Sequence, residues 1–268
     1  MSYEPYFVDV DVPDAVLLRS PDEIPAKAIV AGPKKHPNQC DAIWYAGASL
    51  CGDPDGVAIN WSPENGVGLP ATPSKPNEAN GKLATDGGLI CLSGVNCGLV
   101  VENALVDATH YSCAIRVQSP RQDARTLITV NPSGHKNYLF LQENEGMLTL
   151  KDQNETLELK LVSPAASMWV VMGYSLGRIS LTAVSGSGRF GDNLVHSPVS
   201  MDLAASMLGT SDMFFGCRSH RKGILKTLGE MTLQDVLFWF DQDCLASDQG
   251  VAGLEQACRY VELQGDEA

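Results

Sequence analysis

The chain has 268 residues, 44 % of them apolar and only 7 % aromatic, enough for one large domain with an appendage or for two small ones, with a core built mainly from aliphatic side chains. A net charge of −13 sets it against phosphate backbones and anionic lipid surfaces, which excludes nucleic acid as a main partner. No apolar run is long enough to span a bilayer, which speaks against membrane insertion. Residues 1–14 are acidic and lack the basic-then-apolar layout of a secretory signal, so the expectation is cytoplasmic synthesis, with any release through a route such as lysis.

Of the 15 prolines, only Pro120, Pro132, Pro164 and Pro198 follow residue 76. Proline interrupts helices and central strands, so the first 80 or so residues should be extended and loop-rich with short strands at most. Tyr6-Phe-Val-Asp-Val-Asp-Val12 alternates like one such strand. Residues 70–81 are a linker-like run of turn formers. A soft boundary falls near residue 85. Residues 1–85 read as an extended, Pro-rich arm or small attachment domain, with strands completing a sandwich as the alternative. Residues 86–268 read as the main domain.

Beyond that boundary the hydrophobic period becomes two. Leu148 and Leu150, then Leu157, Leu159 and Leu161, then Ile179, Leu181 and Ala183 alternate with polar residues, as half-buried strands do. Turn formers stand between them at Glu145-Gly146, Gln153-Asn154 and Ser175-Leu-Gly177. Strands at this spacing, without long helices between them, indicate an all-β antiparallel sandwich or barrel. Near the end, Ser247 or Asp248 can cap a helix carrying Val251, Leu254, Cys258 and Val261 at helical spacing, with a frayed tail from Gln264. The eight cysteines show no CxxC spacing and read as reduced core residues. Trp169 and Trp239 lie in apolar strands and read as core. Trp44 and Trp61 read as anchors for the N-terminal region.

The order of these segments resembles laminin-G/pentraxin-like domains of the concanavalin A-type jelly-roll superfamily, over about 170 residues from residue 97. Tyr111-Ser-Cys-Ala-Ile-Arg-Val117 resembles the early strand of such domains, and Tyr138-Leu-Phe-Leu141 with Met147-Leu-Thr-Leu150 the hairpin that follows. Trp169-Val-Val-Met172 with Gly177-Arg-Ile-Ser-Leu181 resembles the central Trp strand and its partner. Phe214-Phe-Gly-Cys217 resembles a late strand, Leu228 to Trp239 the closing strand, and the helix ending at Tyr260 the short helix after it. The resemblance implies a two-sheet jelly roll with a short C-terminal helix. It also implies binding of glycans, of other proteins, or of calcium at the sheet rim. More weakly, the architecture resembles receptor-binding head-spike subunits of gene transfer agents and phages.

Two polar stretches are candidate ligand-binding loops. Arg218-Ser-His-Arg-Lys222 with Lys226 is the densest basic run in an acidic chain; guanidinium forks and ammonium groups hold carboxylates and sulfates well, so Arg218, His220, Arg221, Lys222 and Lys226 read as a docking loop for an anionic sugar. Asn131, His135, Lys136 and Tyr138, with Ser133, pair amide, hydroxyl and cationic groups with an aromatic face, as a pyranose with polar edges and an apolar face requires. Asp241 and Asp243 are weak candidates for a calcium rim site, since calcium takes several oxygens and two acids do not complete one. No other cofactor is implied.

Glycosidases on this fold hold two carboxylates across a sugar bond, commonly from ExDxE or ExDxxE strands, and neither pattern occurs. The sequence therefore points to non-catalytic carbohydrate binding by a polysaccharide adhesin, with a spike or fibre subunit of a phage-like particle as a compatible setting. In that setting the N-terminal region contacts other subunits. A polysaccharide-degrading enzyme or a structural docking module is the alternative, and an oligomer is compatible with each.

Overall fold

Aliphatic residues on every second position give each strand one face that must leave water, and two such sheets bury those faces against each other. The computed structural model describes residues 42–64, 66–75, 81–220 and 227–266, so the strand expected over residues 6–12 lies outside them. The first third holds short strands, β1 (Ile43–Ala46), β2 (Leu50–Gly52), β3 (Ala58–Trp61), β4 (Thr72–Pro73), β5 (Lys82–Leu83) and β6 (Leu89–Cys91). Longer ones follow: β7 (Leu99–Val106), β8 (His110–Gln118), β9 (Arg125–Pro132), β10 (Leu139–Asn144), β11 (Met147–Asp152), β12 (Glu158–Val162), β13 (Ser167–Ser175) and β14 (Arg178–Val184). The chain ends with β15 (Val195–His196), helix α1 (Met201–Ser206), β16 (Thr210–Phe215), β17 (Met231–Phe240) and helix α2 (Asp248–Asp266).

Among the described residues these make an eight-stranded sheet in the order β15-β14-β13-β8-β17-β6-β5, with β1 alongside β17, and a seven-stranded sheet in the order β12-β11-β10-β9-β16-β7-β4. A β2–β3 ribbon stands beside them. Pairing is antiparallel, and sequence-distant strands sit side by side at β8–β17 and β7–β16, as a jelly roll requires. Between the sheets lies one continuous core of Ile115, Val117, Ile128, Val130, Leu139, Leu141, Leu148, Leu150, Met172, Ile179, Leu181, Phe215, Val236 and Phe238, among others.

The N-terminal third contributes to both sheets. β1 pairs with β17, β4 with β7, and β5 with β6. Tyr45 and Trp61 are buried in the inter-sheet core, packed edge to face on Phe215. Trp61 Nε1 donates to the Ala46 carbonyl, and Trp44 Nε1 to Asp235 on β17. The described residues between 43 and 83 thus lend strands to both sheets through β1, β4 and β5. The prolines expected to keep this stretch extended shorten its strands without detaching it. A docking arm can be sought only in residues 1–41, outside the described residues.

α2 covers the outer face of the eight-stranded sheet. Leu254, Ala257, Cys258 and Val261 pack on Ala114, Val171, Leu237, Trp169 and Trp239, and Trp169 Nε1 donates to Glu262 at 2.9 Å. Both tryptophans are therefore buried beneath the helix, not between the sheets. Ser247 caps α2 by accepting from the Gly250 amide, and the helix continues to Asp266, past Gln264 where the sequence suggested fraying. None of the seven described cysteines is in a disulfide, and all but Cys51 are buried. No helix among the described residues is long and apolar enough to cross a membrane.

Candidate functional site

The outer face of the seven-stranded sheet is organised by register. Paired residues line up across it from edge to edge: Glu158, Lys151, Phe140, Thr129, Phe214, Val100 and Thr72. The next row carries Lys160, Thr149, Gln142 and Thr126. The segment after β16 folds back over these rows. Arg218 lies with its guanidinium carbon 4.0 Å from the centroid of the Phe140 ring, donates from Nε to Thr126 Oγ1 at 3.2 Å, and donates from Nη2 to Gln142 Oε1 at 2.7 Å. Burial lowers its pKa and the neighbouring Tyr138 hydroxyl raises it, and a guanidinium stays charged in either case. Lys151 Nζ stands 5.7 Å from the same ring while bonded to Glu155.

His220 covers the second aromatic of the row. Its ring meets Phe214 edge-on at 5.1 Å, its Nδ1 accepts from the Lys75 amide, and its Nε2 lies 4.0 Å from Glu102. Tyr138 stacks obliquely against Phe140 at 5.6 Å. Asn131 and Tyr138 flank the Val130–Leu139 pair, so they share this face. Arg218, Tyr138, Asn131 and His220 are thereby brought onto one sheet face, although the sequence presents them as two separate loops. His135 and Lys136 stand exposed in the β9–β10 connection. Arg221, Lys222 and Lys226 lie outside the described residues. Asn137, beside Lys136, is buried and donates to both Asp152 and Asp202, which fixes the base of that connection.

A second polar constellation, which the sequence did not suggest, lies on the opposite side of the sandwich. On the outer face of the eight-stranded sheet, Arg178, Ser175 and His110 form one cross-strand row, and His196, Ser180, Gly173 and Ser112 the next. The loop after β17 crosses these rows: Ser112 Oγ donates to the Gln242 carbonyl and accepts from the Cys244 amide. Asp243 lies directly over Gly173, where a Cβ would come 2.4 Å from its Oδ1, so only glycine leaves the carboxyl its place. A cavity of about 330 Å³ opens there, lined by Ser175, Leu176, Arg178, His196, Val199 and Asp243.

The electrostatics of this cleft are mixed. Burial raises the pKa of Asp243, while the Leu245 amide bonded to Oδ1 and the nearby His196, His110 and Arg178 pull it down; burial wins. Ser180 Oγ and His196 Nδ1 are 2.7 Å apart, which fixes the imidazole and leaves Nε2 as its other polar atom. Asp241, the other weak calcium candidate, is exposed in a left-handed turn at φ 53°. Among the described residues no group of three or more metal-ligating side chains occurs.

No protein-family model and no curated protein matches the chain. Solved structures do. A Trypanosoma rangeli sialidase mutant displaying trans-sialidase activity aligns with a TM-score of 0.53 at 13 % identity, over 81 % of this chain and 33 % of that one. A GH54 α-L-arabinofuranosidase soaked with a cyclic sulfate inhibitor aligns with a TM-score of 0.50 at 11 % identity, over 76 % and 50 %. The LG1-3 region of the laminin α2 chain aligns with a TM-score of 0.40 at 10 % identity, over 55 % and 30 %. The chain thus spans half or less of the length of each of these three solved chains. At these identities the likeness is one of architecture: an antiparallel two-sheet sandwich of the jelly-roll kind.

Proposed function

We propose that the protein is a non-catalytic carbohydrate-binding module that holds an anionic cell-surface polysaccharide against the outer face of the seven-stranded sheet. One observation carries this reading: a guanidinium held in place by Phe140, Thr126 and Gln142, at the edge of a face that also presents Lys151, Lys160 and Tyr138. A pre-positioned Arg loses little freedom on binding carboxylate or sulfate, which favours affinity. Lys151 and Lys160 on this face are paired with Glu155 and Glu158, so Arg218, whose hydrogen-bond partners Thr126 and Gln142 are neutral, is the cation that meets an acidic ligand. Two of the structures that share the fold are a sialidase and an arabinofuranosidase, which supports sugar as the ligand class.

The non-catalytic part rests on where the buried acids are used. Glu143 accepts from Ser163 and the Ala124 amide, Asp152 from Leu157, Thr156 and Asn137, and Asp235 from Trp44 with Arg116 beside it. Each holds structure together, and Asp243 opens into its cleft without a second carboxylate among the residues lining it. The common mechanism of glycoside hydrolysis uses two. Adhesion as a spike or fibre subunit of a phage-like particle is the finer form of this proposal, and its support is the sequence likeness alone.

The test is binding of the full chain to a panel of acidic and neutral bacterial polysaccharides, with Arg218→Ala alongside and product analysis after long incubation. Binding of acidic polymers that weakens in the variant supports the proposal. Unchanged binding in the variant moves the site, release of reducing ends or unsaturated sugars makes the protein an enzyme, and no binding to any polymer overturns the reading.

A further inference from the structure

The cleft between the β13–β14 hairpin, β15 and the loop after β17 lies on the face opposite Arg218 and is independent of that reading. We propose that it is a binding site for a hexuronate, a sugar ring that carries one carboxylate. Its walls present three kinds of surface. Arg178 and His196 line it, and His110 stands in the same cross-strand row as Arg178, with Ser175 between them. Asp243 projects over Gly173 from the other side. Leu176 and Val199, about half exposed at 56 % and 50 %, form an apolar rim.

Each surface selects something different. A guanidinium and neighbouring imidazoles favour a carboxylate. A carboxylate on the opposite wall accepts hydrogen bonds from hydroxyls and opposes a second negative charge placed against it. The apolar rim takes the C–H face of a pyranose. A hexuronate matches all three at once. Phosphate and sulfate match only the cations and would set a compact anion beside Asp243. A neutral hexose leaves Arg178 without a partner, and a site built around a polar contact discriminates against a ligand that lacks it. The cavity, about 330 Å³, falls in the range of small-molecule sites.

The backbone supports a built site. Leu176 stands at φ 46° in the β13–β14 turn, a conformation in which glycine or asparagine is the ordinary choice. Strain of this kind gathers where a side chain serves a ligand. Gly173 is equally specific, because any other residue would collide with the Asp243 carboxyl.

Calorimetric titration of the full chain with D-glucuronate and D-galacturonate tests the assignment, with D-glucose, D-galactose and inorganic phosphate as comparators. The expected result is saturable binding of at least one hexuronate, at least tenfold tighter than its neutral parent and than phosphate. Arg178→Gln, a change at an exposed side chain, should weaken it at least tenfold. Gly173→Ala should do the same by displacing Asp243, with circular dichroism showing the fold retained. The inference is overturned if neither hexuronate binds, if the neutral sugars or phosphate bind as tightly, or if Arg178→Gln binds like the parent.

Discussion

The guanidinium of Arg218 lies 4.0 Å from the centre of the Phe140 ring and is held there by hydrogen bonds to Thr126 and Gln142. Phe140 is only 2 % exposed, and on the outer face of its sheet the cation covers the ring together with Tyr138 and Lys151. Two strands, β9 and β10, and the segment after β16 meet in this one side chain, which makes it both a strut and the leading candidate for gripping an anion.

Arg218→Ala should therefore have two separable effects. Loss of a partly desolvated cation–π contact and two charge-assisted hydrogen bonds should cost about 1–3 kcal/mol in urea denaturation. Affinity for an acidic polysaccharide should fall about tenfold, which corresponds to about 1.4 kcal/mol. Arg218→Lys should recover little of either, because an ammonium cannot stack flat on Phe140 and fork to two acceptors together. A lysine variant that binds and folds like the parent would show that net charge alone matters at this position.

Asp152 gives a prediction about acid. Burial alone would raise its pKa, but bonds from the Leu157 amide, Thr156 Oγ1 and Asn137 Nδ2 outweigh it and hold the carboxyl below its ordinary value in the folded chain. A carboxylate with a depressed folded pKa contributes stability that is fully present above the unfolded value of about 3.9 and is lost as pH falls through that value and below. The urea midpoint should drop across that acid range, and in Asp152→Ala the drop should be shallower. At neutral pH the variant should be about 2–3 kcal/mol less stable, because three donors lose their acceptor. An identical pH slope in both proteins would remove Asp152 from the account of acid sensitivity.

The period-two runs in residues 110–184 were legible because each strand buries one face and wets the other, so the pattern of single residues carries the fold. The turn at Glu145-Gly146 was legible for the same local reason, with both residues at positive φ. The first third was not, because strands of two to four residues such as β4 and β5 are too short to show a period and take their place from partners far along the chain. The Arg218 site was half legible. Basic composition marked the segment, but Phe140, Thr126 and Gln142 reach it only through the register of β9 and β10. Of the cleft only Asp243 was marked, as a calcium candidate: Arg178, His196 and Asp243 come from three separate segments, and Gly173 reads as an ordinary strand glycine until Asp243 is seen above it.

Thiol chemistry should separate the cysteines cleanly. Burial pushes the Cys217 thiol up to about 12 and moves Cys91, Cys97 and Cys113 in the same direction. The thiolate is the reactive form, so these groups should resist alkylation in the native state. Among the described cysteines only Cys51 is exposed. Native labelling with iodoacetamide, mapped by mass spectrometry, should modify Cys51 in minutes and the six buried thiols only after denaturant is added. Fast labelling of Cys113 or Cys217 would mean that the sandwich opens far more readily than its packing implies.

Leu176 sets stability against binding. A β-hairpin turn with both central residues at positive φ, here Leu176 at 46° and Gly177 at 85°, is ordinarily filled by Asn-Gly, because a leucine side chain meets the backbone in that conformation at a cost of about 1–2 kcal/mol. Gly177 cannot relieve the strain by exchange, since a Cβ there would come 2.2 Å from the Ser200 carbonyl oxygen. Leu176→Asn should therefore stabilise the protein by about 1 kcal/mol and raise its Tm by about 2–4 °C. If the apolar rim of the cleft receives the face of a sugar ring, the same change should weaken hexuronate binding several-fold. A variant that is more stable and binds as well would make Leu176 a neutral turn residue, and one that is less stable would mean that the leucine side chain packs in a way its exposure conceals. The expected combination, stability gained and affinity lost, is what strain retained for a ligand produces.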